Sequence, residues 1–427
     1  MKNHRKLGWV FTLCLFLSLS CCKTPGPLPD PAINDHLDRF NKASRIVFEE
    51  YVDPVPARKL KEWSMDGVSK TYLIKSKFTQ DDHRIPFSET APLLKRAGKD
   101  YGLEDLQAEF RSLFNYCSER LWHFSPGDFV DSAIKGIIAH LDPQCAFLSP
   151  DDFIRLKSTI FEVNPATSLY EKPVQGVMSN NHVHARILRT GTVFARVESF
   201  DAQTARILET ELTALKDQSG GKLRGLILDL RDNPGGLLIE AVEVSALFLK
   251  EGKIVTVKGR TSRNSGRFLV RTAGVERSYP IIVLINQNSA SAAEIVAGAL
   301  RAHKRALVFG RTSFGKGSVQ AVEEIGNGYA IKITIAGYYT PEGDLIEGRG
   351  VVPDVNVSEA FAGSLRKGMK AGQGLTDDPV IEIALLAIEQ TESSSFGDLL
   401  PVLKQVLSEK RLALKNDQND AGPSLPN

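Results

Sequence analysis

Apolar residues recur at three- and four-residue intervals through the first third of the chain. "FNKASRIVFEEYV" and "LQAEFRSLFNYCSERLW" each lay one apolar stripe along a helix. Each is followed by a second helical stretch, "ARKLKEWSMDGVSKTYL" and "SPGDFVDSAIKGIIAHLD". Gly67 and Gly136 fall at similar places in the two copies, as in a degenerate tandem helical hairpin; duplication and coincidence give the same pattern. Ser125-Pro126 reads as an N-cap followed by proline at the first helical position.

From about Pro173 the period changes. "GTVFARVESF" alternates like a strand, and "AQTARILETELTALKDQ" is an amphipathic helix. "RGLILDLRDNPGG" is a buried strand ending in a turn, "LLIEAVEVSALFL" a helix, "YPIIVLIN" a strand, "SAAEIVAGALRA" a helix and "RALVFG" a strand. Strands alternating with helices predict parallel βαβ units. "GSVQAVEEI" and "YAIKITIAGYYT", split by "GNG", predict a hairpin. "TDDPVIEIALLAIEQ" predicts a helix with an acidic start, and "FGDLLPVLKQVLSEKRLALK" one more before a polar tail from Asn416.

The N-terminus reads as a targeting segment: basic "MKNHRK", then apolar "LGWVFTLCLFLSLS", too short for a comfortable membrane span. It ends at Cys21-Cys22 before a proline-rich linker, which predicts export and a lipid anchor on one of the two cysteines. Cys21 follows the expected small residue, Ser20, whereas Cys22 has the expected leucine, Leu19, three positions upstream. The predicted organisation is therefore a signal peptide over 1–22, a linker over 23–34, a helical region over 35–152, a connector over 153–172, an α/β core over 173–390, and a C-terminal helix and tail over 391–427.

The folded part is close to neutral. Lys and Arg number 53 against 51 Asp and Glu, and Lys2, Arg5 and Lys6 of the leader account for the small excess, so no basic surface argues for nucleic acid. Past the leader only Cys117 and Cys145 remain, either as a pair or as two buried thiols. No Cys/His cluster has metal-ligand spacing, and neither a metal nor a cofactor is expected.

The candidate chemistry lies at "INQNSASAAEIVAGALR", where a strand hands over to a helix. Ser289 and Ser291 are candidate helix caps, and a helix N-terminus also suits an oxyanion. A nucleophilic serine needs a base. His182, His184 and His303 are the histidines of this half, none in a hydrolase signature. "GRTSFGKGSVQ" offers Lys316 between two glycines. A surface lysine is one reading; enclosure by backbone, which would leave the amine neutral and able to act as a base, is the other. On an extended segment Gln320 shares a face with Lys316 and can hold its amine. The glycines of "LDLRDNPGGLL" allow backbone N–H groups to approach a ligand at the carboxyl edge of the sheet.

Together these motifs resemble the carboxyl-terminal processing (tail-specific) proteases, serine peptidases with a Ser/Lys dyad. The likeness runs from about Gly191 to Val357 through "GLILDLRDNPGGLL", "VLINQNSASAAEIVAGAL", "GRTSFGKGSVQ" and "GYYTPEGDLIEGRGVVPDV", with "DDPVIEIAL" just beyond and "LDPQCAFLSPDDF" upstream. It implies a crotonase/ClpP-like parallel α/β peptidase core with an N-terminal helical region. By position it implies Ser291 as nucleophile, Lys316 as base, Gln320 as its assistant, and an oxyanion hole from the N–H groups of Gly236 and Ala292. Ser289 is then structural. The resemblance also implies a polypeptide substrate, while the leader predicts a bacterial periplasmic setting and the size of the helical region suggests a homodimer or an adaptor held through it. The family's PDZ domain has no room between Phe153 and Arg186, so the connector stands in its place, and "LDPQC" replaces the more usual "LDPHS". A binding or scaffold protein that kept the fold is the alternative of another class, and a different acyl-transfer enzyme on a crotonase-like core is a third.

Overall fold

Helices α1 (Pro31–Glu50) and α2 (Ala57–Ser76) are a first consecutive pair, and α3 (Leu103–Arg120) and α4 (Pro126–Ile138) a second. In the computed structural model the described residues are 31–76, 100–120, 124–163, 182–271, 278–358, 361, 363, 378–391 and 395–420. The leader with Cys21 and Cys22, and the connector beyond Val163, lie outside them. The two pairs meet where α2 packs against α4 at Gly67 and Gly136. A Cβ on Gly67 would lie 2.1 Å from the Ser132 carbonyl oxygen, and one on Gly136 would lie 2.3 Å from that of Trp63. The two glycines that stand at similar places in sequence therefore face each other, and only their missing side chains let the helices approach this closely.

The helical core is aromatic: the rings of Phe40 and Phe110 stack with centroids 3.6 Å apart, and Phe129 and Phe114 pack edge-on. Buried Ile325, Ile331 and Ile333 from a later hairpin complete it. The helical region is thus built onto the body that carries the candidate site. The chain leaves it through strand β1 (Ala146–Leu148) and helix α5 (Pro150–Val163). Two expected boundaries move. Helix α1 starts at Pro31, inside the expected linker, because a proline is favoured in a first helical turn, where its missing N–H costs nothing. The first part of the expected connector is helical as far as Val163, opened by acidic Asp151 and Asp152.

The α/β body runs β2 (Val183–Ile187), β3 (Thr192–Val197), α6 (Thr204–Gln218), β4 (Gly225–Asp229), α7 (Leu238–Ala246), β5 (Lys253–Gly259), β6 (Gly266–Leu269), β7 (Ile281–Ile285), α8 (Ala292–Ala302), β8 (Leu307–Gly310), β9 (Ser318–Gly326), β10 (Tyr329–Tyr339), β11 (Val355–Asn356), α9 (Pro379–Gln390) and α10 (Phe396–Asp420). One sheet has the order β11-β8-β7-β4-β3-β2, parallel except for the antiparallel edge strand β2. Its strands are buried on both faces. Leu226, Leu228 and Val283 meet α6, α7 and α8, while Ile227, Ile282 and Leu284 meet α9 and α10. This alternation explains the near-continuous apolar runs in sequence. Asp378 caps α9, its carboxylate accepting the Val380 N–H at 2.9 Å, and α10 continues through the expected polar tail as far as Asp420.

A second, antiparallel sheet joins β1, β10, β5 and β6, with β9 also paired to β10. The β9–β10 hairpin turns through Asn327 and Gly328, both at positive φ, as its "GNG" predicts. Cys117 and Cys145 are both free thiols. Burial pushes the Cys117 thiol up to about 12.

Candidate active site

β4 and β7 are parallel neighbours, so the loops after them leave the same sheet edge side by side. Short bonds lock the two loops together. The Ser289 hydroxyl donates to the Leu230 carbonyl at 2.7 Å and accepts the Asn286 N–H at 3.0 Å. The Ala290 N–H donates to the Asn233 carbonyl at 2.9 Å. Fully buried Ser289 is accordingly a structural tie.

Ser291 follows at the N-cap of α8 with φ 54° and ψ −113°. A non-glycine residue at positive φ is strained by about 1–3 kcal/mol and persists only where its surroundings hold it. The surroundings here are visible. The Ser291 N–H donates to the Glu294 carboxylate at 2.8 Å. On the other side the "NPGG" turn presses against the serine: a Cβ on Gly235 would lie 2.7 Å from Ser291 Cβ and 3.0 Å from the Ala292 nitrogen. Gly235, at φ 103°, donates its N–H to Asn233 Oδ1 at 2.8 Å, and its carbonyl accepts the Phe200 N–H at 2.9 Å. Gly236, at φ 147°, leaves no room for a side chain beside the Phe200 carbonyl, 2.1 Å from its Cβ position. Among the described residues the N–H groups of Gly236 and Ala292 have no acceptor, whereas that of Gly235 is already used. Two unused donors thus flank the strained serine, the arrangement an oxyanion requires.

Glu294 is the residue the motif reading passes over. Its carboxylate is fully buried and accepts four hydrogen bonds. Oε1 takes the Ser313 hydroxyl and the Gly315 N–H, both at 2.6 Å, and Oε2 takes the N–H groups of Ser291 and Lys316, both at 2.8 Å. One carboxylate therefore fixes the backbone of Ser291 relative to that of Lys316. The S-A-A-E spacing, a capping-box pattern, is the sequence signal for it.

For the Lys316 side chain the structure has the surface alternative. Its backbone is held, and Gly315 and Gly317 are buried, but the side chain itself is exposed. Among the described residues no hydrogen bond joins its amine to the Ser291 hydroxyl. The flanking glycines enclose the main chain and not the amine. Gln320 is cross-strand partner to Thr334 on β10. Its Nε2 donates to Thr334 Oγ1 at 2.6 Å, with longer contacts of 3.4 Å to Ser318 Oγ and Gln144 Oε1. Its Oε1 is buried and has no partner among the described residues. An acceptor is thus left open on the strand that begins two residues after Lys316.

The histidines are engaged elsewhere. His303 caps the far end of α8 and contacts the Lys253 carbonyl at 2.7 Å, and His182 lies 3.5 Å from Asp201. A second ionic cluster braces the back of the sheet edge, where Arg231 bonds fully buried Asp229 at 2.8 Å and Asp378 at 2.7 Å. Among the described residues no group of His, Cys, Asp and Glu has the arrangement of a metal site.

Comparison with known proteins gives matches over the same segment. Residues 191–357 match the model of peptidase family S41. A carboxy-terminal-processing protease of Bartonella bacilliformis is 44% identical over 183 residues, 40% of this chain and 42% of that protein. A carboxyl-terminal-processing protease of Synechocystis sp. is 37% identical over 166 residues, 39% of this chain and 38% of that protein. The chain therefore covers less than half the length of either relative. Among solved structures, a photosystem II D1 C-terminal processing protease is similar with a TM-score of 0.47 and 20% identity, over 77% of this chain and 94% of that one.

Proposed function

We propose that the chain, whose residues 191–357 match the model of peptidase family S41, is a serine endopeptidase with Ser291 as nucleophile and Lys316 as general base. The Ser291 hydroxyl attacks a peptide carbonyl while the Lys316 amine takes its proton. The oxyanion forms between the N–H groups of Gly236 and Ala292. The Lys316 ammonium returns the proton to the departing amine, leaving an acyl-enzyme on Ser291. Water, activated by the same amine, then hydrolyses the ester. Gln320 accepts a hydrogen bond from the amine through Oε1 and holds it towards the serine.

The observation that carries this reading is the strained Ser291 between two unused N–H donors, with Glu294 tying it to the backbone of Lys316. The base must turn in from its exposed position before the first step. The leader, ending in Cys21-Cys22, supports export to the periplasm and a lipid anchor there. The substrate is a polypeptide. The helical region is large enough to hold a second copy or an adaptor.

Exposure of the Lys316 amine favours one other reading, a scaffold protein of the cell envelope that kept the protease fold without its catalysis. Casein digestion separates the two. The full-length protein cleaves casein at neutral to alkaline pH, and Ser291→Ala and Lys316→Ala each lower the rate at least about a thousandfold. No cleavage by the unsubstituted protein selects the scaffold reading, and cleavage that survives Ser291→Ala refutes the assignment of the nucleophile. Labelling of Ser291 by a fluorophosphonate is the independent check.

A further inference from the structure

Gln320 can serve the proposed base only if its amide presents oxygen and not nitrogen, and the two orientations have nearly the same shape. The hydrogen-bond chain behind it fixes the choice. It starts at Glu347, whose carboxylate accepts the Gly317 N–H at 2.7 Å and Gln144 Nε2 at 2.9 Å. A carboxylate only accepts, so the Gln144 amide must turn its nitrogen to Glu347 and its oxygen the other way. That oxygen takes the Ser318 hydroxyl at 2.7 Å and Gln320 Nε2 at 3.4 Å. Thr334 Oγ1 takes Gln320 Nε2 at 2.6 Å, and the buried Gln320 oxygen is left without a partner among the described residues.

We infer that Gln144 is a positioning residue that, oriented by Glu347, sets the polarity of Gln320 towards the lysine base. Gln144 comes from the helical region, between α4 and β1, in the "LDPQC" segment. The Asp142 carboxylate accepts its N–H at 2.9 Å, and pairing of Ala146 with Lys332 brings the segment alongside β10. The N-terminal region thus reaches into the site with a side chain. This inference rests on the peptidase reading above.

The test is a double-mutant cycle on the full-length protein with casein as substrate. Gln144→Leu and Glu347→Gln each lower kcat about tenfold with KM little changed. Each also moves the acidic limb of the rate profile to lower pH, by about one unit. The sign follows from charge: a reversed Gln320 amide points N–H at the ammonium and disfavours it, while its donation into the amine lone pair lowers the plateau. In Gln144→Leu/Glu347→Gln the second substitution adds little, because the chain is already broken. Gln144→Met, close to the native volume, repeats the measurement if Gln144→Leu fails to fold.

A fall in kcat with the acidic limb unmoved assigns Gln144 a structural role only and overturns the inference, as do additive effects in the double variant. Failure of the underlying reading looks different: Ser291→Ala or Lys316→Ala would still cleave. If both are inactive while Gln144→Leu and Glu347→Gln match the unsubstituted enzyme, the orientation chain alone falls.

Discussion

Glu294→Gln changes one atom and tests how far a single carboxylate organises the catalytic face. Glu294 accepts from four donors, and the replacement turns one accepting oxygen into a donating NH2. Placed on the Oε2 side, the NH2 meets the N–H groups of both Ser291 and Lys316. Placed on the Oε1 side, it meets the Gly315 N–H and the Ser313 hydroxyl. The hydroxyl can rotate, so the second placement costs less. It still leaves the Gly315 N–H unsatisfied at a buried position, about 1–3 kcal/mol, and the remaining bonds lose their charge assistance. A destabilisation of roughly 3 kcal/mol follows. For a body of this size each kcal/mol lowers Tm by about 2–4 °C, so the expected drop is about 6–12 °C by calorimetry or circular dichroism. The loop from Ser313 to Lys316 loosens at the same time, and casein cleavage falls about a hundredfold or more. A variant that melts within a degree or two of the parent and cleaves within twofold of it would refute the claim that Glu294 holds nucleophile and base together.

Three further outcomes are expected. Gly67→Ala sets a methyl group 2.1 Å from the Ser132 carbonyl and destabilises the helical region by roughly 2 kcal/mol or more in urea melts, and Gly136→Ala in the same background adds little, since the helices have already separated. Hydrogen bonds from Asn288 and Asn286 hold the Asp232 carboxyl below its ordinary range, so its stabilising share is fully present above its unfolded pKa of about 3.9 and is lost as pH falls through the lower folded value; Asp232→Asn should flatten that part of an acid titration followed by fluorescence, and an unchanged curve would refute the tie. With its thiol near 12, Cys117 is thiolate to only about one part in ten thousand at pH 8, so iodoacetamide labels it only after denaturation, as mass spectrometry of the peptide would show.

The main sheet was legible because its strands are buried on both faces, which leaves apolar runs such as "LILDL" and "IIVLI" bounded by turns. The second sheet was harder to read. β1 has three residues and β6 four, and the pairing of β1 and β5 to β10 joins segments far apart in the chain. Ser291 and the "NPGG" glycines stand out in sequence because strand-to-helix turns need particular residue types. Glu294 looks like an ordinary helix-start acid until its partners at 313, 315 and 316 are known. Gln144 has still less signal, since its bonds to Glu347 and Ser318 cross more than 170 residues. A reading by motif leaves Lys316 open between a surface and an enclosed amine, because flanking glycines bury a backbone without saying where a long side chain goes.

That exposed lysine bears on how the proposed enzyme turns on. The Lys316 N–H is already bonded to Glu294, Gly317 to Glu347 and Ser291 to Glu294. Ser291 and Lys316 donate their N–H groups to the same carboxylate oxygen, so their backbones lie close together, and on the proposed mechanism the Lys316 side chain turns in from there. The change required is a set of side-chain rotations, against about 1.5–2 kcal/mol of rotamer entropy and the cost of taking an ammonium out of water. The open oxygen of Gln320 offsets part of that cost. A bound polypeptide that excludes water from the sheet edge shifts the balance the same way, because it denies the outward amine its solvent. On this reading Gln320→Leu, which removes the inward acceptor, should lower kcat while leaving the melting temperature close to that of the parent.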